Sequence, residues 1–241
     1  MGAPEHFSYD LPRRCLQLVE DLLPHAKQSF ELSKKEFGPL TTTFILAMAM
    51  PIINLPVERI FKQFNSGDIG YADDREINPK LSETIKTVLN RSFKDAPFFA
   101  TGVWSFSSYK HFNLADGIPL GLSDKLRLTD ACSAAHDLAT TVWISCLRNA
   151  LAHGGIAYMD RSWRSVGGPF PVERLAFASE RRVPRRNDDG KSIKDENGKK
   201  EMMIDGVNVL SVSESDFLSF LLEWGKWVEV SGLAREMQVA A

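Results

Sequence analysis

The chain predicts a mainly α fold: a helical bundle with a small β-hairpin excursion before the C-terminal helix. Three observations lead there. Apolar residues recur at helical spacing near both ends, as in Leu16, Val19, Leu22 and Leu23, and in Phe217, Phe220, Leu221, Trp224 and Val228. A long apolar run, from about Thr129 to Ala152, ends on Gly154-Gly155, the stop that a helix C-terminus favours because glycine accepts the left-handed conformation. Strand-like composition is confined to 172–179 and 202–212.

The elements follow in order. Leu11 to Glu36 reads as an amphipathic helix interrupted by Pro24, and Gly38-Pro39 ends it. Thr41 to Met50 opens a second, more buried helix, which Pro51 and Pro56 kink or divide. Asn65-Ser66-Gly67-Asp68 is a loop. Asn78-Pro79 supplies a cap and a first residue for a helix from Lys80 to about Phe93. Residues 97–112 are dense in aromatics (Phe98, Phe99, Trp104, Phe106, Tyr109, Phe112). Such a cluster is a core plug or an oligomer contact, or a surface that stacks nucleobases beside Lys110. The two strand-like segments flank Arg181 to Lys200, which holds eight Lys or Arg and four Asp or Glu, with Asp-Gly and Asn-Gly turn signals. It is either a solvated hairpin excursion or a basic surface for phosphates. Ser213-Glu214-Ser215-Asp216 resembles a capping box opening the last helix. No internal repeat and no interdomain linker is visible. The expectation is therefore one domain over 1–241, with a helical core about 10–160, a β excursion and basic loop about 165–212, and a terminal helix about 213–231.

Bulk properties exclude more than they indicate. With 29 Lys plus Arg against 31 Asp plus Glu, the net charge is −2, so any nucleic-acid site must be a local patch. Hydrophobic content of 44% fits a packed globular protein. The longest apolar tract, Phe44 to Leu55, falls short of the roughly 20 residues a membrane span needs. Cysteines 15, 132 and 146 are odd in number and, like the five scattered histidines, lack metal-ligand spacing. The chain is expected to need no cofactor and no metal. The start has no basic-then-apolar leader, so the cytoplasm is the expected compartment, with no membrane partner.

The chemistry concentrates in Arg148-Asn149-Ala150-Leu151-Ala152-His153. Arginine carries a permanent charge and a planar fork of donors that matches phosphate oxygens. Histidine transfers protons in either direction near neutrality. On an ideal helix Asn149 and His153 lie roughly 40° apart, whereas Arg148 and His153 lie roughly 140° apart. Arg148 and His153 converge only if the helix ends or unwinds at His153, or if the long arginine side chain curls around the helix. The carbonyls exposed at that end favour a protonated imidazole. The plain alternative is a histidine cap and an ion-paired arginine.

This segment resembles the signature of the HEPN superfamily, in which an Arg, usually followed by Asn, Asp or His, precedes a His by four to six residues. The segments Thr43-Phe44-Ile45-Leu46-Ala47-Met48-Ala49-Met50-Pro51, Leu55-Pro56-Val57-Glu58-Arg59-Ile60 and Ile156-Ala157-Tyr158-Met159-Asp160 are similar to parts of a bacterial and plasmid-borne subgroup. The resemblance spans about residues 10–230 and is sharp near 43–60 and 147–160. It implies an all-α HEPN-type bundle that forms a homodimer, with two motifs facing each other across a two-fold axis. It further implies metal-independent RNA cleavage in toxin–antitoxin or other defence settings, restrained by an antitoxin or neighbouring regulatory protein. Other members bind RNA or nucleotides, or act as scaffolds, without catalysis. On this reading Arg148, Asn149 and His153 are catalytic, and Arg181, Arg182, Arg185 and Arg186 are candidates for RNA binding. Some members carry a tyrosine two residues after the histidine that an antitoxin modifies. Gly155 stands there instead, so that regulation is not expected.

Overall fold

A computed structural model describes residues 7, 8, 10–33, 40–61, 83 and 86–230. In order it contains α1 (Asp10–Ser33), α2 (Thr41–Ala49) continuing through π-helical turns at Met50–Asn54 and Val57–Phe61, a short 3₁₀ turn (Phe93–Asp95) and β1 (Ser105–Tyr109). A second 3₁₀ turn (Leu114–Asp116) leads to α3 (Leu120–Leu126), α4 (Thr129–Asp137) and α5 (Thr140–His153). Then come β2 (Ile156–Met159), β3 (Arg174–Pro184), β4 (Met202–Ser213) and α6 (Glu214–Val230). The expected break at Gly38-Pro39, the loop at Asn65–Asp68 and the cap at Asn78-Pro79 lie outside the described residues.

The expectation of a mainly α, all-α HEPN-type bundle is overturned. The four strands form one antiparallel sheet in the order β1-β4-β3-β2, so the fold is mixed α and β. The anticipated hairpin is real, but it is the centre of this sheet rather than an excursion from a bundle. Along β3, Leu175 and Phe177 turn into the main core with α1, α2, α5 and α6, while Ala176 turns to a second cluster with Leu122 and Leu126 of α3. Burial alternates between two apolar faces, as in a sheet covered on both sides. β1 escaped the sequence reading because Ser105-Phe106-Ser107-Ser108-Tyr109 is serine-rich within an aromatic segment. β2 is only four residues long.

Other expectations shift for local reasons. α1 runs through Pro24 without a break, and its buried stripe is Pro12, Cys15, Val19 and Leu23, leaving Leu22 exposed. The apolar run expected as one helix from Thr129 to Ala152 is two. Leu138 and Ala139 are extended (ψ 135° and 133°). There Phe93 N–H donates to Leu138 O, and both Thr140 N–H and its buried hydroxyl donate to Arg91 O. These tertiary bonds replace helical ones. Residues 86–89 are helical, but the expected helix stops at Asn90, short of Phe93.

Of the aromatic segment, Phe98 and Trp104 are fully enclosed with Phe93, Trp143, Phe220 and Trp224; Phe93 stacks on Trp143 at 4.2 Å between centroids. They plug the core. α6 begins with the anticipated cap, Asp216 N–H donating to Ser213 Oγ at 3.0 Å, and buries Phe217, Phe220, Leu221, Trp224 and Val228. Pro51 and Pro56 offer no N–H, and the chain accommodates them by widening into π-helical turns. Trp224 Nε1 donates to Ile52 O there at 3.0 Å. The stretch Thr41–Arg59 is long and apolar enough to cross a membrane by length and composition, yet its Ile45, Ile52 and Ile53 sit in the core.

Candidate functional site

α5 packs its Trp143, Ile144, Cys146, Leu147, Ala150 and Leu151 inward. Cys146 Sγ reaches Phe177 O and Asn208 O, both at 3.5 Å, tying the helix to the two central strands. Burial pushes that thiol up to about 11, so it is a neutral anchor and not a nucleophile. The helix ends where the glycines predict. Gly154 is left-handed (φ 70°, ψ 23°), and Gly155 N–H donates to Ala150 O at 2.8 Å. Gly155 has a different duty. A β-carbon placed on it would lie 2.2 Å from Ala178 O, so only glycine allows the chain to pass this close to β3 on its way into β2.

β2 pairs with β3 only up to Phe177, so from Ser179 onward the outer edge of β3 is uncovered by a strand. The C-terminal end of α5 fills part of that space. Between them is a cleft of about 710 Å³ lined by Arg148, Asn149, His153, Ala178, Ser179, Glu180 and Arg182. All three motif residues thus share one cavity, at a helix that stops at His153. The His153 side chain is exposed and, among the described residues, has no hydrogen-bond partner. Arg148 is largely enclosed, at 16% exposure, and forms an ion pair with Glu58 while donating to Asn149 Oδ1. Among the described residues, two of its five N–H donors are committed in this way.

Glu58 is the residue that sequence reasoning missed. The sequence places it only within a helical segment, Leu55 to Ile60. Its contact with Arg148 depends on the π-helical turn Val57–Phe61, which no local pattern in the sequence announces. Glu180, which pairs with Arg182 at 2.9 Å, was missed for the same reason, because edge position depends on where β2 stops.

The four arginines of the basic segment do not act as one patch. Arg182 lines the cleft. Arg181 points to the other flank of the hairpin, held by Asp205 through its backbone oxygen and its carboxylate, both at 2.7 Å. The register shift between Glu180 and Arg182 marks the β-bulge that separates them. Arg185 pairs with Glu201 at 3.4 Å, and Arg186 donates to Gly190 O at 3.1 Å.

The segment itself is ordered as a pair of like turns. Asn187 Oδ1 accepts from Lys191 N, and Asp195 Oδ1 from Lys199 N, with left-handed Gly190 and Gly198 in the two turns. Arg185, Ile193 and Glu201 close a ring of backbone bonds between them. The two turns share one hydrogen-bonding pattern and fall at the Asp-Gly and Asn-Gly signals of the sequence.

Among the described residues, no group of three or more His, Cys, Asp or Glu side chains is placed to hold a metal. The three cysteines are free. No protein-family model, curated protein or solved structure matches the chain.

Proposed function

We propose that the protein is a metal-independent endoribonuclease of the HEPN type, acting in the cytoplasm in a toxin or defence role. The observation that carries this reading is the convergence of Arg148, Asn149 and His153 on one cleft together with Arg182. The fold gives no support from a helical bundle, so the reading rests on the motif and its geometry.

In the proposed reaction the ribose 2′-oxygen attacks the adjacent phosphorus and the bond from phosphorus to the 5′-oxygen breaks. One imidazole takes the 2′-hydroxyl proton and a second, protonated imidazole gives a proton to the departing 5′-oxygen. Each chain supplies one such imidazole, so we propose a two-fold homodimer that sets His153 opposite His153 of the partner subunit. Arg148 stabilises the additional negative charge of the pentacoordinate transition state, where preorganised donors contribute most. Asn149 steadies its guanidinium and presents an amide to the 2′-hydroxyl. Glu58 fixes the direction of Arg148. The products are a 2′,3′-cyclic phosphate and a 5′-hydroxyl. An antitoxin or neighbouring protein would restrain the activity.

A second reading, a non-catalytic module that binds RNA or a nucleotide, draws on the same ion pair: Glu58 already neutralises Arg148. Incubating the protein with total RNA in EDTA separates the two. Cleavage to cyclic-phosphate ends supports the nuclease, while intact RNA in a stable complex supports the binding module. Light scattering tests the dimer, and a monomer at micromolar concentration removes the two-histidine scheme.

A further inference from the structure

The catalytic cleft is poor in free positive charge. Among the described residues, its two guanidiniums are each matched by a carboxylate, Arg148 by Glu58 and Arg182 by Glu180. Phosphate affinity scales with the number of uncompensated cations that displace counterions, so this cleft alone is badly equipped to retain an RNA strand. The opposite flank of the same hairpin is built differently. There, among the described residues, Ser108, Tyr109, Lys110, Lys125 and Arg181 line a concavity of about 290 Å³, with the Arg181 guanidinium held by the Asp205 carboxylate. Lys110 and Lys125 have no carboxylate partner among the described residues. Lys125 Nζ lies over the Tyr109 ring at 5.5 Å from its centroid, and Ser108 Oγ is fixed by Asn208 Oδ1 at 2.8 Å. In a chain of net charge −2, two lysines without a carboxylate partner among the described residues, beside an Arg181 already matched by Asp205, give this hollow a local excess of positive charge.

The sheet connects the two places. Tyr109 pairs with Val207, and Val207 with Glu180. One row of residues therefore joins the pocket to the cleft across two strand spacings, roughly 10 Å. A single strand crossing the hairpin root would meet Lys110, Lys125 and Arg181 on one side and Arg148 and His153 on the other. Tyr109 adds an aromatic face, the usual companion of cations in single-strand grooves.

We propose that Lys110, Lys125 and Arg181 form a phosphate-binding subsite that holds the RNA strand beside the cleavage cleft. The proposal rests on the ribonuclease reading above and supplies the affinity that the cleft lacks. Its test uses a 2′-O-methyl oligoribonucleotide, which binds but cannot be cut, titrated by fluorescence anisotropy at several salt concentrations. The double variant Lys110→Gln, Lys125→Gln removes two exposed charges with little effect on packing. It should bind about tenfold more weakly, and its salt slope should fall by about 1.4, the value for two lost single-strand contacts. On unmodified RNA its KM should rise while kcat at saturation stays at the wild-type value. Unchanged affinity and slope overturn the subsite, as does a fall in kcat alone or a wild-type protein that does not bind the oligonucleotide. Wild-type protein that binds but never cuts, with affinity still lost in the double variant, overturns the nuclease reading and leaves the subsite standing.

Discussion

Glu58 and Arg148 come from helices far apart in the chain and meet in a half-buried ion pair at the wall of the cleft, 33% and 16% exposed respectively. Glu58 reaches that point from the π-helical continuation of α2, and Arg148 from the penultimate turn of α5. The pair spends part of the charge of Arg148 and in return fixes the plane of its guanidinium, a trade that favours orientation over raw affinity.

Replacing Glu58 by Gln should therefore slow cleavage on the order of 100-fold, through misplacement of the guanidinium, while RNA affinity is held or improved. Loss of a charged hydrogen bond to an enclosed arginine should also cost about 2 kcal/mol of stability. Single-turnover kinetics and urea denaturation measure the two effects. Glu58→Asp, which keeps the charge on a shorter arm, should recover part of the rate. Equal loss of rate in the Asp and Gln variants, tracking stability alone, would make Glu58 a purely structural residue.

The two motif glycines should respond unequally. Gly154→Ala places a side chain in the left-handed region and should cost about 1–2 kcal/mol. Gly155→Ala drives a methyl group against a backbone carbonyl that cannot yield, and should cost about 3 kcal/mol or more. Chemical denaturation of the two variants gives the order directly, and a reversed order would mean that the β2–β3 approach is looser than described.

How far the sequence could be read depended on whether a feature was local. The stop at Gly154, the cap at Ser213 and the inward stripe of α6 are written within a few residues, and all were legible. The division of α4 from α5 was not, because Leu138 and Ala139 are good helix formers made extended by bonds to Arg91 and Phe93. The sheet was half legible for the same reason. β3 and β4 carry their own apolar pattern, whereas β1 is made a strand by its ladder to β4. At the site, the convergence of Arg148, Asn149 and His153 followed from the helix end, but Glu58 and Glu180 entered through long-range packing.

The arginine segment should divide rather than act as a block. Arg182→Gln should lower cleavage, because Arg182 alone of the four lines the cleft. Arg185→Gln with Arg186→Gln should leave kcat and salt slope unchanged, since these side chains brace the paired turns through Glu201 and Gly190. Kinetics of the single and double variants over a salt series decide the matter. A loss of rate from Arg185 and Arg186 equal to that from Arg182 would restore the segment to a single RNA-binding surface.

Cys146 should leave a signature at alkaline pH. Its folded thiol ionises only near pH 11, against 9.0 for the ordinary value. Between those values the unfolded chain has released the proton and the folded chain has kept it. The unfolded state then binds fewer protons, so stability is fully present below this window and falls as pH rises through it. Denaturation curves from pH 8 upward should steepen this loss relative to Cys146→Ser, whose hydroxyl does not titrate there. Identical pH dependence in both proteins would remove the thiol as the cause.

The decisive test of function lies with His153 and Arg148. His153 is exposed at a glycine-ended helix and makes no described hydrogen bond, so His153→Ala should leave fold and assembly intact while abolishing cleavage and cellular toxicity. Arg148→Lys is the more discriminating change. Lysine keeps the charge and can still pair with Glu58, but it lacks the planar fork that serves Glu58, Asn149 and a phosphate together. Charge alone should not rescue it, and cleavage should fall about as far as in the histidine variant. EDTA should leave the wild-type rate unchanged, because the proton transfers and charge stabilisation come from side chains. Wild-type protein that binds RNA, leaves it uncut with or without divalent ions, and matches the His153→Ala variant in toxicity would defeat the catalytic reading and return the motif to the binding role.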